Sequence, residues 1–258
     1  MSVLLIRLAG PLQSWGASAR FARRGTENAP TKSGVLGMLA AAEGRPRDAA
    51  LGDLAALRFG VRVDQPGERL RDYQTARHAV SEKSMPVSER FYLADAVFVA
   101  AVEGDAALLG ELYRALLAPG FLPFLGRRSC PPSRPVDLGP PVDGALEDVL
   151  RGAPWQASGW YLRRLGYEGG RRPAPEELPK LDLFIECVDD DVPDFTIRDT
   201  PESFGHDHRR YALRGVRSRL ADAPLPQPSA VVDHDPTPHL TPVSPSGSRP
   251  ETGTVADT

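Results

Sequence analysis

The sequence predicts an α+β fold with the element order β-α-β-β-α-β, and three observations carry that prediction. Residues 58–64 alternate, with Phe59, Val61 and Val63 on one side and Arg58, Arg62 and Asp64 on the other. Residues 95–102 form a near-continuous apolar run, the mark of a central strand. Residues 105–117 place Leu108, Leu109, Leu112, Leu116 and Leu117 on one helical stripe, which Pro119-Gly120 ends.

The remaining elements fall into order around these. Residues 3–8 read as the first strand, with Leu4, Ile6 and Leu8 on one face. Residues 9–33 make a loop too long for a plain connector, which points to function. Thr31 or Ser33 can cap a helix running to Glu43, with Gly44 as its stop. Asp48 can cap a short helix to Leu57. Residues 65–90 are polar and carry Pro66, Gly67 and Pro86, so they read as an insertion or a protruding hairpin. Residues 121–125 supply the fourth strand of the pattern, which is that of ferredoxin-like and RRM-like domains. Both helices would then cover one sheet face and leave Arg7, Arg58 and Arg62 on the open one, the face RNA-recognition sheets use. Pro and Gly dominate from 135 to 179. Strands are expected at 181–188 and 211–216, and from 222 the chain is a Pro-rich acidic tail expected to be disordered.

Bulk properties exclude several classes. The chain has 258 residues, enough for one large domain or two small ones, and its 41% apolar content suffices for a core. No apolar run approaches the roughly 20 residues that span a bilayer, and the first residues lack the pattern of a signal peptide. A soluble cytoplasmic protein without membrane contact is expected. Cys130 and Cys187 form no CxxC, so neither a disulfide nor a zinc site is expected. The net charge of −3 argues against a generally basic nucleic-acid coat. Basic residues instead gather locally, in 1–35, 121–136 and 203–219, as patches that can follow a phosphate backbone.

The candidate residues each carry two readings. Thr31-Lys32-Ser33-Gly34 opens a helix whose free N–H groups and lysine suit a phosphate, or is a capped helix with a solvated lysine. Trp15, beside Gln13 and Ser14, can stack on a base or plug its loop onto the core. Arg20, Arg23 and Arg24 form a basic arm or a solvated loop. Arg127-Arg128 after Gly126 can clamp phosphates or lie idle on the surface. Tyr73, His78 and Lys83 could together cleave RNA without metal, or belong to a polar hairpin. His206-Asp207-His208 lacks a third ligand, and Asp189-Asp190-Asp191 reads as a turn, so no metal or cofactor is expected.

Several stretches together then point to a family. RLAGPLQSWG, PTKSGVLGMLAAAEGRPR, LRDYQTAR, RFYLADAVFVAAV and FLPFLGRRSCPPSRP, followed by RDTPESFGHDHRRYALRGV, resemble the CasD family of type I-E CRISPR Cascade subunits, in the RAMP superfamily. The resemblance covers residues 1–217. It implies an RRM-like RAMP domain over 1–136, a β-hairpin thumb at about 65–93, a β-containing extension over 137–220 and an unrelated tail over 221–258. It implies a subunit that holds the 5′ handle of the CRISPR RNA, contacts the backbone and large subunits, and meets foreign DNA only through the assembly. Carried over by motif, Gln13, Trp15, Lys32, Ser33, Tyr73, Arg90, Arg127 and Arg128 become candidates for the handle-binding surface or its support, with Arg20 and Arg23 of the basic arm beside them. No catalytic residue is implied, since another subunit cuts the precursor RNA in type I-E systems. In type I-C systems the related subunit is itself the ribonuclease, which keeps Tyr73, His78 and Lys83 as the alternative.

Overall fold

Alternation at residues 58–64 and the apolar run after Asp95 become two paired central strands, and the other elements assemble around them. The computed structural model describes residues 1–17, 23–167, 174–188, 191–205 and 209–225. In chain order these form β1 (Ser2–Ala9), β2 (Leu12–Gln13), β3 (Arg23–Arg24), α1 (Lys32–Ala42), α2 (Gly52–Ala55), β4 (Arg58–Gln65), β5 (Glu68–Gln74), β6 (Ser88–Ala94) and β7 (Val97–Gly104). There follow α3 (Ala106–Leu117), β8 (Val142–Asp143), α4 (Leu146–Gly152), α5 (Gly159–Arg164), β9 (Lys180–Glu186), β10 (Phe195–Ser203) and β11 (Arg210–Asp222). The expected tail from 226 onward, Arg20, Asp189-Asp190 and His206-Asp207-His208 lie outside the described residues. No described helix is long and apolar enough to cross a membrane.

The result is a mixed α/β fold with a mostly antiparallel sheet. Seven strands run in the order β10-β11-β9-β4-β7-β1-β8. β7 pairs with β1 from Ser2↔Gly104 to Ala9↔Val97 and with β4 from Arg58↔Glu103 onward, both antiparallel. The first helix is capped by Thr31, whose hydroxyl accepts from the Gly34 N–H, and α3 by Asp105, as their sequences anticipate. Asp48 does not start the second helix, which begins at Gly52 and has no side-chain cap. Nor do residues 121–125 form a strand. The edge beside β1 is filled later in the chain, where the Arg7 N–H donates to the Val136 carbonyl and Val142 and Asp143 pair with Val3 and Ser2.

A larger departure concerns the face expected to be open. Leu4, Ile6, Phe59, Val61 and Phe98 pack against Val35, Leu36, Leu39, Leu109 and Leu112 of α1 and α3. The opposite face is covered too: Val3, Val99, Ala101, Leu183 and Ile185 pack against Leu146 and Leu150 of α4. Arg7, Arg58 and Arg62 therefore meet protein rather than solvent. Arg7 donates to the Pro135 carbonyl and to Gln156, and Arg58 pairs with Glu103 at 2.5 Å. Arg62 is fully buried. It forms a two-pronged pair with buried Asp64 (2.6 and 3.0 Å) and donates to the carbonyls of Leu150, Ala153 and Pro154 at 2.7, 2.7 and 3.0 Å. Helix α4 has no side-chain cap of its own. The sheet provides both: Glu103 accepts from the Leu146 N–H at its start (3.0 Å), and Arg62 takes the carbonyls at its end. Each charge has the sign that complements the helix dipole.

A second, smaller sheet is built on β6, with β5 along one edge and the short β2 and β3 along the other. β5 and β6 pair antiparallel from Glu68↔Ala94 to Gln74↔Ser88 and continue the two central strands beyond a bend. Gly67 allows the bend, because a Cβ there would lie 2.8 Å from the Ala94 carbonyl oxygen. Gln65 holds it by donating to the Asp95 carbonyl (2.5 Å) and accepting from the Ser158 hydroxyl (2.7 Å).

Candidate nucleic-acid interface

Register on β6 sorts the exposed chemistry into two faces. Arg90 and Tyr92 point one way; Glu89, Phe91 and Leu93 point the other. On the first face, Arg24 of β3 lies directly opposite Arg90. The loop after α3 adds Arg127, whose guanidinium sits 4.6 Å from the centre of the Tyr92 ring and donates to the Arg24 carbonyl at 2.9 Å. Gly126 makes that approach possible. Its φ is +81°, and a Cβ there would fall 1.8 Å from the Ser14 carbonyl oxygen. Arg128 follows on the exposed surface.

Arg24, Arg90, Arg127 and Arg128 have no acidic partner among the described residues. Arg90 Nε and Arg127 Nη1 are buried donors without a hydrogen-bond acceptor. Arg58 Nε and Arg214 Nη1 share that property inside the ion pairs with Glu103 and Asp199, so the feature that sets the Arg24, Arg90, Arg127 and Arg128 cluster apart is its lack of a carboxylate partner among the described residues.

The other face carries Arg69, Arg71 and Tyr73 of β5 with Phe91. Arg23 lies over the Phe91 ring at 5.3 Å and Arg71 over the Tyr73 ring at 5.1 Å. Tyr73 is half exposed, as a stacking residue requires.

Residues 3–217 match the model of the CRISPR-associated protein (Cas_Cas5) family. The chain belongs to that family. It is 38% identical over 158 residues to the Cascade subunit CasD of Escherichia coli (strain K12), covering 54% of this chain and 70% of that protein. A crystal structure of a Cas protein superposes with a TM-score of 0.67 at 37% identity, covering 88% of this chain and all of that one. A chain of a CRISPR RNA-guided surveillance complex superposes with a TM-score of 0.65 at 33% identity, covering 86% and 91%.

Within this Cas5 family fold, the remaining candidates fall away from the surface. Gln13 is buried and donates to the Leu8 and Ala96 carbonyls (3.0 and 2.7 Å), while its Oε1 accepts from the Trp15 indole N–H (3.1 Å). Trp15 is fully buried and plugs its loop onto α1. Gly34 admits the indole, because a Cβ there would lie 2.8 Å from it. The glycine makes room for tryptophan, where a phosphate was the expectation.

The phosphate reading of the α1 start is corrected in the same way. The Lys32 N–H donates to the Asp199 carboxylate at 2.8 Å, so a carboxylate of this chain already occupies the helix terminus. Asp199 is held in turn by a two-pronged pair with Arg214. The Lys32 ammonium is buried against both oxygens of Glu186, at 2.8 and 3.0 Å. Burial pushes the lysine below its ordinary pKa range, against the upward pull of Glu186. Ser33 reaches only the Thr31 hydroxyl, at 3.5 Å. Gln13 and Trp15 thus pack inside the fold, Lys32 is tied to β9 and β10, and Ser33 makes only a local contact. Lys32→Ala will destabilise the fold by about 2 kcal/mol, because Glu186 loses its cation in a largely buried place. The urea unfolding midpoint checks this.

The His78 N–H donates to the Lys83 carbonyl at 3.0 Å, so these two flank one turn, while Tyr73 lies five residues back on β5. His78 Nδ1 accepts from the Val80 and Ser81 N–H groups (3.3 and 3.2 Å) and so braces the turn between β5 and β6. Tyr73 faces Arg71. Sequence reasoning missed Arg69, Phe91 and Glu27, whose arrangement depends on how β3 and β5 flank β6.

Proposed function

We propose that this chain is a non-catalytic subunit of a type I-E Cascade complex that holds the 5′ handle of the CRISPR RNA. The observation that carries the proposal is the cluster of Arg24, Arg90, Arg127 and Arg128, four guanidiniums without a carboxylate partner among the described residues. Phosphodiester oxygens pair with such unneutralised guanidiniums, whose planar fork suits them better than an ammonium group does. Family membership and the 38% identity to CasD support the assignment to Cascade. In this reading the large sheet with α1 and α3 is the ferredoxin-like core of a RAMP protein. The β5–β6 ribbon is its thumb, reaching the adjacent backbone subunit, with the large subunit docked nearby. Target DNA is met only through the assembled complex.

Arg90→Ala with Arg128→Ala tests this reading. Affinity for a single-stranded RNA carrying the repeat handle should fall at least tenfold, with the circular dichroism spectrum unchanged. The slope of log affinity against log salt should become shallower by about 1.4, the value for two lost phosphate contacts on a single strand. Unchanged affinity would sink the assignment. Incubating the purified chain with repeat RNA and a chelator should leave the RNA intact; cleavage lost in His78→Ala would favour the ribonuclease reading instead.

A further inference from the structure

A recess of about 280 Å³ opens on the β6 face opposite the arginine cluster, lined by Ala17, Arg23, Gly25, Thr26, Glu27, Arg69 and Phe91. Its size suits one nucleotide and excludes a folded RNA element. Its walls are chemically distinct. Phe91 provides an aromatic surface overlaid by the Arg23 guanidinium, and that side chain is 77% exposed, with a 3.7 Å pair to Glu89 as its one ion pair among the described residues. Arg69 is fixed by bonds from Nη2 to the Thr26 carbonyl (3.1 Å) and from Nη2 and Nε to Asn28 (2.9 and 3.2 Å), with no bond from Nη1 among the described residues. Glu27 is anchored through its backbone, its N–H donating to the Trp15 carbonyl at 2.6 Å and its carbonyl accepting from the Thr26 hydroxyl. Among the described residues its carboxylate has no hydrogen bond or ion pair, although two arginines line the same recess.

We infer that this recess reads a single splayed-out guanine of the bound RNA, with the Glu27 carboxylate as the residue that determines specificity. The inference rests on the RNA-binding reading above. A free carboxylate is acceptor-only, so it selects a group presenting N–H donors. Among unpaired bases, guanine alone offers two adjacent donors, N1–H and the N2 amine, to one carboxylate. Adenine and cytosine offer one amine, and uracil flanks its N3–H with carbonyls that Glu27 repels. The base lies against the Arg23–Phe91 stack, as bases do on aromatic and guanidinium planes. Arg23 and Arg69 take the neighbouring phosphate. A bare phosphate would leave Glu27 unexplained, and a divalent cation would be repelled by both arginines.

Fluorescence anisotropy of the full chain with eight-nucleotide uridine RNAs carrying one central guanosine, inosine or adenosine tests the inference. Guanosine should bind roughly tenfold tighter than adenosine, the discrimination expected of one bidentate contact, with inosine between them because it lacks the N2 amine. Glu27→Gln should reduce that preference to within about twofold, through loss of the paired N1–H and N2 contacts to one carboxylate. Phe91→Ala should weaken all three by about tenfold, since stacking tolerates any base. Equal binding of guanosine and adenosine RNAs by the unmodified chain would overturn the guanine site and leave the RNA reading standing. A preference that survives Glu27→Gln would overturn the role of Glu27. Failure to bind any of the three RNAs would overturn the RNA reading itself.

Discussion

Arg62→Ala will lower the unfolding free energy by about 4 kcal/mol, the range for breaking a buried ion pair. The guanidinium is fully buried, and its removal strands the Asp64 carboxylate along with four carbonyls around the end of α4. Burial already pushes the Asp64 acid above its ordinary pKa, and Arg62 is the main force opposing that shift. Asp64 keeps only the Gln156 N–H as a donor. Urea denaturation followed by tryptophan fluorescence is the direct measurement, since Trp15 and Trp155 are both buried. Replacing both partners, with Arg62→Met and Asp64→Leu, should cost less than Arg62→Ala alone, because no buried charge is then left unpaired. A single variant with stability within 1 kcal/mol of the parent would mean that α4 does not depend on this pair.

The second large effect belongs to Gly126→Ala, at about 4 kcal/mol or more. A side chain at φ +81° is strained, and its Cβ would lie 1.8 Å from a backbone carbonyl oxygen that cannot yield cheaply. Gly44→Ala is the control. That glycine has φ +76° but nothing within 4 Å of the added carbon, so only the backbone penalty of about 1 kcal/mol applies. Because Gly126 directly precedes Arg127, RNA affinity should also fall in the variant at temperatures where it remains folded. Gly44→Ala should bind RNA normally.

Legibility in the sequence followed the range of the interactions involved. β1, α1, β4, β7 and α3 are set by local periodicity and local caps, and they lie close to where the pattern puts them. Arg62 and Asp64 were read as outward-facing because alternation reports polarity, not coverage. The cover is a seven-residue helix without side-chain caps, too short to announce itself, and its ends are satisfied by Glu103 and Arg62 from distant strands. Lys32 misled for the same reason: Asp199 and Glu186 lie more than 150 residues away in sequence. β10 escaped notice because it carries Pro201 and two register irregularities, which an edge strand tolerates. Within the candidate interface, the glycine turn at Gly126 singles out Arg127 and Arg128 locally, whereas Arg90 is singled out only by the family resemblance. The Glu27 recess was not legible, since it exists only where three strands meet.

Helix α4 spans a fixed interval between two opposite charges mounted on neighbouring parts of one sheet. The arrangement acts as a ruler with a built-in sense of direction. Adding or removing one residue within α4 would rotate its end by about 100° and move it 1.5 Å, detaching either Glu103 or Arg62. Running the helix backwards would set both charges against its dipole. A one-residue insertion should therefore be tolerated in the connections on either side of α4 and not within it, and swapping this segment with another will succeed only when its residue count is kept.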